Sequence, residues 1–149
     1  MRRKIQKYLS GEREGFSLIE LIIVIAIMAV LIGVLAPQYL KYVEKSRESA
    51  DLANYQEILS AMQIFAADPN ASAAFDATGE NVTVADGAVT VTGTWTTAAM
   101  TNAGVDATNL KMKSTAYKAA VITVTKGTDG YQFAVTGNDA LAEALALKK

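Results

Sequence analysis

The apolar run Leu21–Ala36 (LIIVIAIMAVLIGVLA) constrains this chain more than any other feature, because it holds no charged and no strongly polar side chain. Taken from Phe16, the run is interrupted only by Ser17 and Glu20. At about 1.5 Å rise per residue such a segment makes roughly 30 Å of helix, the thickness of a bilayer's hydrocarbon core. A carboxylate at the bilayer centre costs about 2.5–3.5 kcal/mol on insertion scales. Glu20 therefore needs either a place at the headgroup boundary or a partner.

Charge orients the run. Ahead of it stand Arg2, Arg3, Lys4, Lys7 and Arg13 against Glu12 and Glu14, whereas the rest of the chain carries more acidic than basic side chains. A basic head before an apolar span predicts insertion with the head in the cytoplasm and the body outside. The body has no basic patch of the kind that binds nucleic acid. The chain has no cysteine and no histidine, which excludes disulfides, thiol chemistry and histidine-ligated metals and removes the commonest general base. Asp68, Asp76, Glu80, Asp86, Asp106, Asp129 and Asp139 fall mostly at predicted turns, where Asp is favoured for local backbone bonding. They lack the spacing of an EF-hand. The expectation is a chain with no cofactor, no metal and no catalytic constellation.

In chain order, residues 1–15 read as a leader. A conventional secretory signal is cut behind small residues after its apolar run, and Gly33–Tyr39 (GVLAPQY) offers no such site. Removal of the leader before the run would leave the anchor on the mature chain; an uncleaved signal anchor is the alternative. Residues 16–37 form the membrane half of a long helix and residues 38–66 its amphipathic half. Glu44–Arg47, Lys45–Glu48 and Arg47–Asp51 stand at pairing distance on its surface. Tyr55, Ile58, Leu59, Met62, Phe65 and Ala66 then make an apolar stripe. Gly33 and Pro37 weaken the helix, either as an ordinary membrane-helix kink or as a stretch able to unwind.

Residues 67–149 read as an extracytoplasmic α+β region. Helix signals stop at Ala67–Asn70, and residues 71–80 read as a loop. Val82–Ala85 and Ala88–Thr92 flank Asp86-Gly87, a strong hairpin signal, and their Val/Thr alternation predicts one apolar and one hydroxyl face. A short helix near 97–103 and a loop to 116 follow. Tyr117–Thr125 and Tyr131–Thr136 form a second hairpin around residues 126–130. Asn138 or Asp139 caps a last helix, with Leu141 and Leu145 one turn apart and Lys148 and Lys149 at its end. The expected class is α+β, a long N-terminal helix packed on a roughly four-stranded antiparallel sheet with a short C-terminal helix.

The stretch Gly15-Phe16-Ser17-Leu18-Ile19-Glu20, followed by an apolar helix, resembles the class III signal of type IV prepilins and type II secretion pseudopilins. Pro37 falls where many such pilins carry a proline. The resemblance covers roughly residues 11–66 and is most specific in 15–20. It implies cleavage after Gly15 by the aspartic prepilin peptidase and N-methylation of Phe16. It implies that Glu20 complements the Phe16 amine of an adjacent subunit, setting register, and that Leu18, Ile19, Ile22 and Ile23 pack the filament core. Around Gly33 and Pro37 it implies loss of helicity on assembly. The partners implied are further copies of the chain, the peptidase, the membrane assembly machinery and minor pilins, with the bacterial cytoplasmic membrane as store and an extracellular filament as destination. A major pseudopilin, or a signal-anchored surface protein that never polymerises, are the alternatives. Two departures stand out: Glu12 and Glu14 interrupt the basic leader, and the cysteine pair that closes the C-terminal loop of many pilins is absent.

Overall fold

The 3.6-residue period of residues 51–62 decides which way the long helix faces. The computed structural model describes residues 16–71, 75 and 79–147, so the expected leader with Gly15, most of the expected 71–80 loop, and Lys148 and Lys149 lie outside the described residues. Helix α1, Leu18–Ala66, is continuous. The chain divides into two compact units, Met1–Leu40 and Lys41–Lys149, and α1 contributes to both.

Within the second unit α1 buries Asp51, Tyr55, Ile58, Leu59, Ala61 and Met62. Four of these belong to the expected stripe; Phe65 and Ala66 are half-buried at its end. They pack in one core with Val82, Val84, Ile122 and Val124. Each such side chain contributes about 1.5–3 kcal/mol by leaving water, and that core holds a domain without disulfides together.

The sheet consists of β1 (Glu80–Ala85), β2 (Ala88–Thr92), β3 (Ala120–Gly127) and β4 (Gly130–Thr136), antiparallel in the order β2-β1-β3-β4. The first hairpin turns on Asp86 (φ 49°) and Gly87 (φ 80°). Positive φ at both central residues is the mirror-image turn that matches strand twist. Register aligns Val91, Val82, Ile122 and Val135 across one face and Thr90, Thr83, Val121 and Thr136 across the other. The apolar and hydroxyl faces expected from the sequence are both present. Helix α2 (Thr94–Asn102) and the segment up to residue 119 carry the chain from β2 back to the free edge of β1. Helix α3 (Asp139–Ala144) starts where the Asn138 side-chain oxygen Oδ1 accepts from the Leu141 amide at 3.0 Å.

Two expectations change. β3 starts at Ala120 rather than Tyr117, because the three preceding carbonyls are taken elsewhere. Tyr117 accepts from the Tyr55 hydroxyl, Lys118 from the Gly87 amide, and Ala119 from the Asn138 side chain. On α1, Glu44–Arg47 forms at 3.5 Å, the only ion pair on that helix among the described residues. Asp51 turns into the protein instead of toward Arg47, and Lys45–Glu48 does not form.

Candidate functional site

In the first unit, among the described residues, nothing covers the apolar half of α1. Phe16 is 87% exposed, Leu18 76%, and Ile19, Ile22 and Ile23 between 47 and 58%; the side chains on to Leu40 are exposed likewise. A soluble surface rarely leaves so much contiguous apolar area open. The helix is long and apolar enough to cross a membrane.

The start of α1 is chemically specific. Leu18 is the first helical residue, so Ser17 stands at the N-cap and Glu20 at the third helical position. The Ser17 amide donates to Glu20 Oε2 at 2.9 Å. This is the returning arm of a capping box, in which a Glu or Gln at the third position satisfies the N-cap amide. The sequence carries that signal as Ser17-x-x-Glu20, and treating the two residues as polar interruptions of an apolar run misses it. The carboxylate is thereby bent back toward the chain direction from which the helix begins. A cut after Gly15 would make the Phe16 nitrogen a cation one residue before the present donor. Glu20 would then have a charged partner competing for the oxygen that now takes a neutral amide, and charged donors are the stronger.

Gly33 and Pro37 lie inside the continuous helix. They act on one hydrogen bond: Pro37 has no amide to donate, and the acceptor it deprives four residues back is the carbonyl of Gly33. A Cβ added at Gly33 would meet nothing within 4 Å, so the isolated chain gives no steric reason for a glycine there.

In the second unit, carboxylates add polar ties between α1 and the segment before β3. Asp51, 1% exposed, accepts from the Lys113 amide at 2.9 Å and the Ser114 amide at 2.6 Å. Glu44 accepts from the Thr115 hydroxyl at 2.5 Å and from its amide, and these bonds hold its carboxyl below the ordinary glutamate range. Burial, with the Asp51 charge adding to it, pushes the Tyr55 phenol well above its usual value. Glu80, expected at a turn, is buried at the head of β1 and caps α2 across the sheet. Its oxygens accept from the Trp95 amide at 3.1 Å and the Thr96 amide at 2.7 Å. Asp51 was readable one turn before Tyr55 on the apolar stripe; Glu80 carried no local signal.

Residues 12–36 match the family model of the prokaryotic N-terminal methylation motif, the class III signal of type IV pilins and pseudopilins. The match spans the basic-to-apolar junction and the first half of α1. No curated protein and no solved structure matches the chain. The N-terminal segment thus carries a pilin-like signal motif, and a signal of this class implies processing by prepilin peptidase.

Proposed function

We propose that this chain is the structural subunit of a type IV pilus. It is held in the bacterial cytoplasmic membrane by α1, cut after Gly15, methylated at Phe16, and polymerised into a helical surface filament. The reading rests on one coincidence: the methylation motif runs into a helix whose apolar side chains are uncovered from its start to Leu40. Lipid covers them before assembly, and further copies of the same helix cover them afterwards. Glu20 supplies register, because two buried charges are neutralised only when one chain's carboxylate meets another chain's Phe16 amine at a fixed axial stagger. Buried pairs contribute specificity of this kind more reliably than net stability. Identical contacts that do not close on themselves propagate as helical fibres. The role is structural, and no residue is assigned a catalytic step.

The deciding measurement is the intact mass and N-terminal sequence of protein sheared from native cells. A methylated chain starting at Phe16 in that extracellular fraction is the expected result. A chain still starting at Met1 and found only in membranes would leave a plain signal anchor. Long surface filaments at native expression would separate a pilin from a short secretion pseudopilin.

A further inference from the structure

One cleft in the second unit collects cations on a chain that is acidic after its leader. It measures about 450 Å³ and is lined by Arg47, Lys111 and Lys113, with Ser46, Asn54 and Asp51. Its shape is fixed from below. Met112 is buried in the core, so its neighbours Lys111 and Lys113 point the other way, as alternate residues of an extended segment do. The Met112 amide donates to the Gly87 carbonyl at 2.9 Å, and the Lys113 amide donates to Asp51. Among the described residues Asp51 is the one carboxylate lining the cleft, and both its oxygens already accept from backbone amides. Among the described residues neither lysine forms an ion pair, and Arg47 pairs with a Glu44 that Thr115 also holds. Three cations thus face one opening in which the one carboxylate among the described residues, Asp51, already accepts from backbone amides.

Exposed cations hold a free anion weakly, because water and salt screen each contact. A ligand repeated along a polymer is different, since a linked neighbour presents its charge at an effective concentration in the millimolar range. The chain offers a matching group: Asp139 and Glu143, one turn apart on α3, both exposed and unpaired among the described residues. We propose that the cleft of Arg47, Lys111 and Lys113 receives the Asp139–Glu143 carboxylate pair of a second copy of the chain. The two patches differ, so the contact is heterologous and runs head to tail, the type that extends a filament instead of closing a dimer. The inference rests on the polymer reading above.

Charge exchange tests it in full-length chains in native cells. Lys111→Glu with Lys113→Glu is expected to lower the yield of sheared filaments at least tenfold, as is Asp139→Lys with Glu143→Lys. All four changes together should restore the yield to within a few-fold of the parent, with membrane content unchanged throughout. Two outcomes overturn the proposal while leaving the polymer reading intact. In one, parental filaments form and the lysine reversal leaves their yield unaltered, which would point the cleft toward another anion such as nucleic acid. In the other, both reversals reduce yield and their combination does not recover it. A parent chain that makes no filaments overturns the polymer reading itself.

Discussion

Single carboxylates decide the local architecture of the second unit. Glu80 reaches the amides at the start of α2, and it fits only because residue 93 has no side chain. A Cβ on Gly93 would lie 2.2 Å from Glu80 Oε2, and the backbone there has φ 115°. Gly93→Ala is expected to cost about 2–3 kcal/mol through strain and the displaced cap, read by chemical denaturation of the detergent-solubilised chain. Adding Glu80→Ala to it should cost less than the two changes summed, because the clash partner is gone. Tyr55 gives a pH signature. Its phenol donates to the Tyr117 carbonyl at 2.7 Å, and burial holds it neutral beyond its usual range. Below about pH 10 folded and unfolded chains carry the same proton there. Above that value the unfolded chain releases it first, so stability falls as pH rises. Tyr55→Phe should cost about 1 kcal/mol at neutral pH for the lost hydrogen bond and flatten this alkaline decline, measured as denaturation midpoints between pH 8 and 11.

At the scale of elements, α1 does two jobs with two compositions. Its second half is amphipathic and builds a core; its first half is apolar all round and builds none within one chain. Gly33 and Pro37 are the weak point of that first half, since Pro37 leaves the Gly33 carbonyl without its helical donor and a Cβ at Gly33 would meet nothing within 4 Å among the described residues. Gly33→Ala with Pro37→Ala should stiffen the helix by several kcal/mol on host–guest scales. Membrane insertion and N-terminal processing should continue, while the yield of sheared filaments should fall if assembly requires the segment to lose helicity. Normal filaments from the double variant would assign the two residues to an ordinary kink. The sheet shows how a connection sets topology. Helix α2 and the segment to residue 119 return the chain to β1, so β1 and not β2 receives β3.

For the whole molecule, the decisive property is a large apolar surface that one chain leaves open and that either lipid or other copies must cover. Glu20 distinguishes the two covers. In one chain it accepts from the Ser17 amide at the helix start; in the proposed filament core it would need a cation. Glu20→Ala is therefore expected to keep membrane insertion, to weaken the helix cap by about 1 kcal/mol, and to abolish filaments. Membrane fractionation and shearing of the same cells check both halves of that outcome.

The residues by themselves determined the membrane-length helix, the Asp86-Gly87 hairpin and the two faces of the first hairpin; they also carry the capping box as Ser17-x-x-Glu20 and narrow the last cap to Asn138 or Asp139. Each depends on partners within about one helical turn or on a strict period, so the information is local. What only the tertiary structure decided is where the buried carboxylates went, which strands are neighbours, and where β3 begins. Asp51 and Glu80 find their amides 62 and 15 residues away, and no spacing rule links such positions. A desolvated carboxylate must be satisfied by whatever backbone the fold brings to it. The carbonyls of Tyr117, Lys118 and Ala119 left the strand for the same reason: donors from α1, the hairpin turn and Asn138 reached them once the chain had folded.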